Sequence, residues 1–431
     1  MSEQVFYQKT IPVMGAYDVV VLGGGPAGVC AAVEAARCGA NTVLVETTGM
    51  LGGMATSGMV GPFMTNYDRD GNRPVVGGIY REIIEHLHKR NAAILPENTD
   101  SPSIHTSFIT KYHRHVTPFD AFQLQVLLDE MTEAAGVDVL LYTRYVDSLV
   151  ENGAIKGVIV AALEGLRCIE GKIFIDCTGN ADVAAASGVP TWKGEEETGI
   201  PQPGTLMFEM SGVVDDEIAA FGKRPKRPIK VYRAPKAGNY RINHEHVFNV
   251  DATDSRQMSA AHREARQQVI DTCRELNDNT PGFQNAQIAS VASVLGVRES
   301  RHIEGKYKIT VDDVHHGVKF DDRIAAYAFG MDVHIRSKEM TGNFKIEVAD
   351  VYYIPYRSMQ PVNIDNLLVA GKTISCFSQA AGGLRCMPAA MSMGQAAGAA
   401  AAMAVKAGKM PGEIDVPTLQ KHLLERGAIL D

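Results

Sequence analysis

A carboxylate and an imidazole two residues apart on an extended chain lie on the same face, and Asp332 and His334 stand this way in MDVHIR. A carboxylate so placed orients the ring and fixes its tautomer, which a general base working near neutral pH requires. VLGVRESRHIEG crowds Arg298, Arg301 and His302 together, and guanidinium forks bind carboxylates or hydroxylated groups well. The competing reading of Arg298 or Arg301 is a buried ion pair that ties two parts of the chain. YYIPYRSM adds Tyr353 and Tyr356 as rival proton acceptors, whose phenols would need a strongly lowered pKa. Arg385 precedes a helix with Pro388 in its first turn, where positive charge gathers. The expected catalytic and anchoring set is therefore His334, Asp332, Arg385, Arg298 and Arg301.

Such groups must face a reacting partner, and the N-terminus holds the elements that would bind one. YDVVVL reads as a short buried strand over Asp18 to Leu22 that runs into GGGPAG. Gly23, Gly25 and Gly28 occupy the G-x-G-x-x-G places, and a helix of small residues follows. Gly23 permits the tight turn, Gly25 lets a pyrophosphate approach the backbone, and Gly28 lets helix and strand pack closely. A second strand, NTVLVE, ends on Glu46, whose carboxylate suits a ribose hydroxyl and disfavours a 2′-phosphate. TTGMLGGMATSG then supplies Gly49, Gly52, Gly53 and Gly58, exposed backbone along which a second bulky part of a dinucleotide can lie.

Further along, Thr117-Pro118-Phe119-Asp120 predicts a helix start with Thr117 as N-cap. The strands that follow turn at Glu151-Asn152-Gly153, and a buried strand ends in Thr178-Gly179 before a helix carrying Asp182. NLLVAGKTIS repeats that pattern, its strand from Leu367 to Ala370 ending at Gly371. Ala390, Gly394, Gly398 and Ala402 recur every fourth residue, a small-residue ridge able to lie close to a sheet or a planar group.

Together, GGGPAG, Glu46, LGGMATSG, IDCTGNAD, LGVRESRHIEGKY, DDRIAAYAFGMDVH, YYIPYRSM, NLLVAGKTIS and LRCMPAAMSMGQAAG resemble the FAD-dependent oxidoreductase family with the glutathione-reductase-type FAD fold. The branch is one distantly related to fumarate reductase and GidA-type flavoproteins. The resemblance implies an α/β fold: a Rossmann-like FAD-binding domain with a central parallel sheet, flanking helices and a β-meander, plus an inserted α+β cap. The FAD domain is expected from residues 1–60, 115–190 and 355–431, and the cap or substrate domain from 61–114 and 191–354. By resemblance, Gly23, Gly25, Pro26, Ala27, Gly28, Glu46, Gly52, Gly53 and Met54 line the adenine-to-flavin path. Val146, Thr178, Gly179, Gly371 and Arg385 complete it. Arg385 is expected to stabilise the anionic reduced flavin. Gln379 stands where family members often carry a His, and the GGMAT loop has no His, so FAD is expected to be non-covalent.

Composition narrows the partners. Of 431 residues, 42 are Lys or Arg and 50 are Asp or Glu, a formal charge of −8 without a long basic run, which argues against a nucleic-acid binder. The 7 cysteines are scattered and form no CxxC, so neither a disulfide framework nor a metal site is expected. MSEQVFYQKT lacks an apolar core, and the uncharged run from Cys386 to Val405 is rich in Ala and Gly, so the reading is cytoplasmic, without a signal peptide or a membrane span. The close pairs His244 with His246 and His315 with His316 read as ordinary surface or core histidines, and the basic stretch from Lys223 to Lys230 as a solvated loop. A single dinucleotide fingerprint points to reoxidation by oxygen, a quinone or a redox protein. The expected reaction is hydride transfer from a small hydroxylated or amine-bearing substrate to flavin; the alternatives are reduction of an activated C=C bond and a GidA-like role in RNA modification. A homo-oligomer is compatible with all three.

Overall fold

Val19, Val20, Val21 and Leu22 are a branched apolar run with no exposed surface, and they form the middle of a 7-stranded sheet. The computed structural model describes residues 5–99, 115–220, 229–334, 336–337, 344–346 and 348–431. Strand β1 (Val13–Leu22) runs into helix α1 (Pro26–Arg37) and returns as β2 (Thr42–Val45), parallel to β1. Helices α2 (Gly78–Lys89) and α3 (Ala121–Ala135) precede β3 (Asp138–Leu140), which extends the parallel order beside β2. Although α2 falls in the stretch expected to join the cap, its Ile79, Ile83, Ile84 and Leu87 are buried in the same core as α1.

The start of α3 corrects the predicted cap. Asp120, not Thr117, is the N-cap: its carboxylate accepts a hydrogen bond from the Gln123 amide at 2.9 Å. Thr117 is held in an extended bridge with Phe63, and its hydroxyl meets Asn66 and Tyr80 at 3.1 Å each.

Strands β4 (Arg144–Glu151), β5 (Ala154–Ala162) and β6 (Gly165–Asp176) form an antiparallel meander whose first turn places Asn152 and Gly153 at positive φ. β6 also lies parallel to β1, so the meander grows out of the parallel sheet. After α4 (Asp182–Ala186) and β7 (Thr191–Lys193) the chain leaves this sheet. It forms β8 (Phe208–Ser211), α5 (Asp215–Ala220), β9 (Lys230–Arg233), β10 (Tyr240–Asn243), α6 (Ser255–Asn279) and β11 (Gln287–Val291). These strands make a 4-stranded antiparallel sheet, ordered β11-β8-β10-β9, over a separate apolar core around Phe208, Tyr240, Ala265 and Leu276. β12 (Arg301–Ile303) pairs back onto β7. Beyond α7 (Val311–His316) come β13 (Arg323–Tyr327), β14 (Met331–Val333), β15 (Phe344–Ile346) and β16 (Tyr352–Pro355), paired β13 with β16 and β14 with β15.

The chain then returns. β17 (Leu367–Val369) lies parallel to β6, Leu367 opposite Phe174, and completes the sheet that residue 13 began. The fold is thus α/β with a parallel-rich central sheet. α8 (Ser378–Leu384), α9 (Met387–Ala407) and α10 (Val416–Glu425) close the chain. The small-residue ridge of α9 meets α1 at Gly394 and Gly398. A Cβ on Gly394 would stand 2.0 Å from the Ala27 carbonyl oxygen, and one on Gly398 2.2 Å from that of Ala31. The partner surface is itself small, Ala27, Ala31 and Ala35, so the two backbones touch and exclude side chains. Among the described residues no helix is long and apolar enough to cross a membrane.

This contact sets an expectation for stability. Gly398→Ala forces the helices apart, and overpacking of this kind costs about 1–3 kcal/mol. The denaturant midpoint of Gly398→Ala should fall accordingly, while Gly408→Ala, whose added Cβ meets nothing within 4 Å, tests strain alone at the positive φ of a helix end.

Candidate active site

The carboxyl ends of β1, β2, β6 and β17 all point to one edge of the sheet, where α/β folds bind their ligands. A cavity of about 2000 Å³ opens there. Gly23 leaves β1 at φ +99°, a conformation a side chain would strain. A Cβ on Gly28 would fall 1.8 Å from the Gly23 carbonyl oxygen, whereas one on Gly25 would meet nothing within 4 Å. Gly28 therefore packs helix on strand and does not line the cavity, and Gly25 opens onto it. α1 starts at Pro26 without a side-chain cap, so its first amides are left to an outside acceptor.

Glu46 follows β2 and is nearly buried. One carboxylate oxygen accepts the Gly24 amide at 2.7 Å and the other accepts the Thr48 amide at 2.7 Å. The acid thus holds the glycine loop to the next turn, and each oxygen keeps a lone pair for a ligand hydroxyl. After β6, buried Asp176 accepts from the amides of Thr178 and Ala184 at 3.0 Å each and fixes the Thr178-Gly179 turn. Burial raises the Asp176 carboxyl above its ordinary range, against these hydrogen bonds.

Of the residues expected along the cofactor path, Gly23, Gly25, Pro26, Ala27, Glu46, Gly53 and Met54 line this cavity. So do Val146, Thr178, Gly179, Gly371 and Arg385. Gly52 does not: it lies behind the wall, its Cβ position facing Thr56 and Leu128. Gly382 and Gly383, just before Arg385, serve close packing. A Cβ on Gly382 would crowd the Asp332 backbone at 3.1 Å, so the glycine lets α8 carry β14 against Arg385.

At the far wall the cavity meets Asp332, His334, Arg298 and Arg301. His334 Nε2 lies 2.9 Å from Asp332 Oδ2, and Arg385 Nη2 donates to the Asp332 carbonyl at 2.9 Å and to Oδ2 at 3.3 Å. Burial opposes the Asp332 charge, but the hydrogen bond from His334 and the charge of Arg385 hold its carboxyl well below the usual range. Burial and the nearby charge of Arg298 push His334 well below the ordinary imidazole value, so it is neutral at pH 7. Arg298 donates to the Pro203 carbonyl at 2.7 Å and to Thr205 Oγ1 at 2.8 Å. Burial, aided by Arg385, brings the Arg298 guanidinium down to about 9. Arg301 is committed elsewhere. It donates to Asp182 Oδ1 at 2.9 Å and to the Asn180 carbonyl at 3.1 Å, and ties β12 to the start of α4.

The expectation that His334 touches the substrate proton directly does not survive this geometry. Its Nδ1 meets His246 Nε2 at 2.9 Å, so both ring nitrogens are engaged within the protein. Nor do the rival phenols reach the cavity. Tyr356 is buried with its hydroxyl on the Pro411 carbonyl at 2.9 Å, and Tyr353 lies by Lys319 and Arg323. His246, set aside as ordinary, and Thr205 and Lys372 are the polar residues that sequence reasoning missed here. Burial lowers the Lys372 ammonium to about 8, and its Nζ donates to the Val297 carbonyl at 2.8 Å. The spacing of His244 and His246 was the available signal for His246. His315 and His316 meet edge to face at the end of α7, and residues 223–228 of the basic stretch lie outside the described residues, while Lys230 lines the cavity.

One cluster has metal-ligand chemistry among the described residues: Glu34, Cys38 and His422. Arg426 Nε lies 3.4 Å from the same Glu34 oxygen that His422 approaches at 2.9 Å, so the guanidinium and the imidazole already occupy the place of an ion.

The model of FAD dependent oxidoreductases matches residues 18–423. The chain belongs to that family. Over 47 residues, 11% of this chain and 10% of the other, it is 49% identical to dihydrolipoyl dehydrogenase of Trypanosoma brucei brucei. It is 25% identical over 178 residues to digeranylgeranylglycerophospholipid reductase of Methanoculleus marisnigri, covering 41% of this chain and 42% of that protein. The chain thus matches less than half the length of either curated relative. The solved structure of p-nitrophenol 4-monooxygenase from Pseudomonas putida aligns over 96% of this chain and 85% of that one, with TM-score 0.52 and 11% identity, a likeness of fold.

This oxidoreductase takes FAD, and its residues fit that cofactor. The open backbone at Gly25 and the uncapped start of α1 suit a pyrophosphate, and Glu46 suits a ribose. Glu46→Ala should weaken FAD binding by about 1–3 kcal/mol, roughly fivefold to 150-fold in Kd, because a charge-assisted acceptor is lost. Titration of apoprotein with FAD, followed by flavin fluorescence, reads this directly. An unchanged Kd would remove Glu46 from the cofactor site.

Proposed function

We propose that this flavoenzyme oxidises a small hydroxylated or amine-bearing substrate, with proton uptake by the His334–Asp332 pair. Bound FAD supplies the two-electron hydride acceptor for such chemistry. The observation that carries the reading is His334 Nε2 within 2.9 Å of Asp332 Oδ2 on the cavity wall. A neutral imidazole beside a carboxylate accepts a proton and stabilises the resulting cation. Arg385 pairs with Asp332 at 3.3 Å and keeps a buried Nε without a protein partner. Arg298, with only neutral oxygens as hydrogen-bond partners, is the anchor for an anionic or polyhydroxylated substrate. The electron acceptor that completes turnover is proposed to be oxygen, a quinone or a redox protein.

Reduction of an activated C=C bond is the second reading, drawn from the relative named as a reductase. It needs a proton donor, and two neutral histidines serve that end less well than uptake.

The test is anaerobic mixing of the yellow protein with sugars, hydroxy acids and amines. At least one should bleach the flavin, and His334→Ala should keep FAD while slowing bleaching by roughly 10²–10⁴-fold. If none bleaches it and chemically reduced enzyme is reoxidised by an activated alkene, the second reading replaces the first. FAD should also be non-covalent: acid precipitation should leave the flavin in the supernatant, and a yellow pellet would contradict that.

A further inference from the structure

The hydrogen bonds at His334 continue through the protein and come back to the cavity. His334 Nδ1 meets His246 Nε2 at 2.9 Å, and His246 Nδ1 meets Thr205 Oγ1 at 3.3 Å. Thr205 Oγ1 in turn accepts from Arg298 Nη1 at 2.8 Å. The two ends set the direction of the protons along this path, because a carboxylate only accepts and a guanidinium only donates, while the Glu245 carbonyl competes for a His246 N–H. His334 must donate from Nε2 to Asp332, which leaves Nδ1 as an acceptor. His246 must then donate from Nε2, and its Nδ1 accepts the Thr205 hydroxyl proton. One arrangement of neutral tautomers satisfies all four links. Asp332 and Thr205 both line the cavity, whereas His246 does not.

The backbone holds this chain in place. Gly204 exchanges amide bonds of 2.9 Å with Val247, the neighbour of His246. Thr205 exchanges bonds of 3.1 and 2.8 Å with Gly296, two residues before Arg298. Gln202 Oε1 accepts the His334 amide at 3.3 Å, and the Gln202 amide donates to Glu299 at 2.8 Å.

We propose that the substrate proton enters at Thr205 and reaches His334 through His246. The inference rests on the oxidative reading above. The substrate O–H or N–H gives its proton to Thr205 Oγ1 as the Thr205 proton passes to His246 Nδ1. The His246 Nε2 proton passes to His334 Nδ1. One heteroatom–hydrogen bond breaks on the substrate and one N–H bond forms on His334, while Thr205 and His246 end neutral. The electron pair left on the heteroatom closes the C=O or C=N bond as hydride leaves the carbon for the family's two-electron acceptor. The cation formed on His334 faces Asp332 at 2.9 Å. Direct uptake by Asp332 is less well placed, because Oδ2 already takes His334 and Arg385. His246 is thus a positioning residue that acts through its two neighbours.

Four variants of the FAD-loaded enzyme test this. Thr205→Ser keeps the hydroxyl, and Thr205→Val removes it at nearly constant shape. His246→Gln can still donate to His334 Nδ1 and preserve its orientation, but it cannot pass a proton. With the panel compound that bleaches wild-type enzyme fastest, Thr205→Ser should stay within about threefold, while Thr205→Val and His246→Gln should each slow bleaching by about 10²-fold or more. The double variant should be no slower than the worse single one, as for residues acting as a unit. Wild-type rates in Thr205→Val or His246→Gln, or multiplying losses in the double variant, would overturn the relay while leaving the oxidative reading intact. Failure of every compound to bleach would strike the oxidative reading instead. A substrate-free measurement still judges the chain in that event. Ring-nitrogen NMR of the holoenzyme should show His246 and His334 both protonated at Nε2, and an Nδ1–H tautomer at either would refute it.

Discussion

Backbone touching backbone between α1 and α9 is the constraint on which the rest of the site depends. Because Gly394 and Gly398 carry no side chain, α9 lies directly on the carbonyls of Ala27 and Ala31. That contact clamps the last part of the chain to the first glycine loop. Arg385 sits two residues before α9, so the same clamp delivers it to the wall that Ala27 begins. The parallel pairing of β17 with β6 fixes Gly371 beside Thr178 by the same logic. The cavity edge is therefore a product of helix packing and strand pairing within the protein.

A second constraint is electrostatic and lies behind the histidines. Glu299 and Arg336 are buried together at 2.9 Å, and the Ser378 hydroxyl bridges them. Burial would raise the Glu299 carboxyl, but the hydrogen bond of His302 and the charge of Arg336 bring it down to about 2. Isolated, either charge would be costly to bury; paired and hydrogen-bonded, they hold a fixed shape. Through Gln202 that shape reaches the His334 amide, and through Ser378 it reaches the first residue of α8. One buried ion pair thus aligns both segments that meet at Asp332.

The local features of this fold were legible in the sequence because they depend on neighbours a few residues apart. The strand-glycine-helix unit, the acid at Glu46, the Asn152-Gly153 turn and the Asp332–His334 spacing all belong to this kind. Features decided by distant partners were not legible. His246 and His334 are 88 positions apart, and nothing in either segment announces the other. Arg298 and Arg301 look alike in sequence, yet Asp182 takes one and neutral oxygens surround the other. Thr117 has good capping chemistry, but pairing with Phe63 stretches its backbone and passes the cap to Asp120.

The return of β17 to the sheet also bears on how the molecule comes into being. During synthesis the glycine loop and β1 emerge early, whereas the strand and helix that wall them in emerge some 350 residues later. Until then α1 presents a bare stripe of alanines with no partner, and the nascent chain can hold only half a cofactor cradle. Contacts so distant in sequence make folding slow and leave apolar surface open meanwhile. Holo-protein yield is thus tied to residues 367–407, and a ribosome that stops before α9 releases a chain with its signature loop and no site.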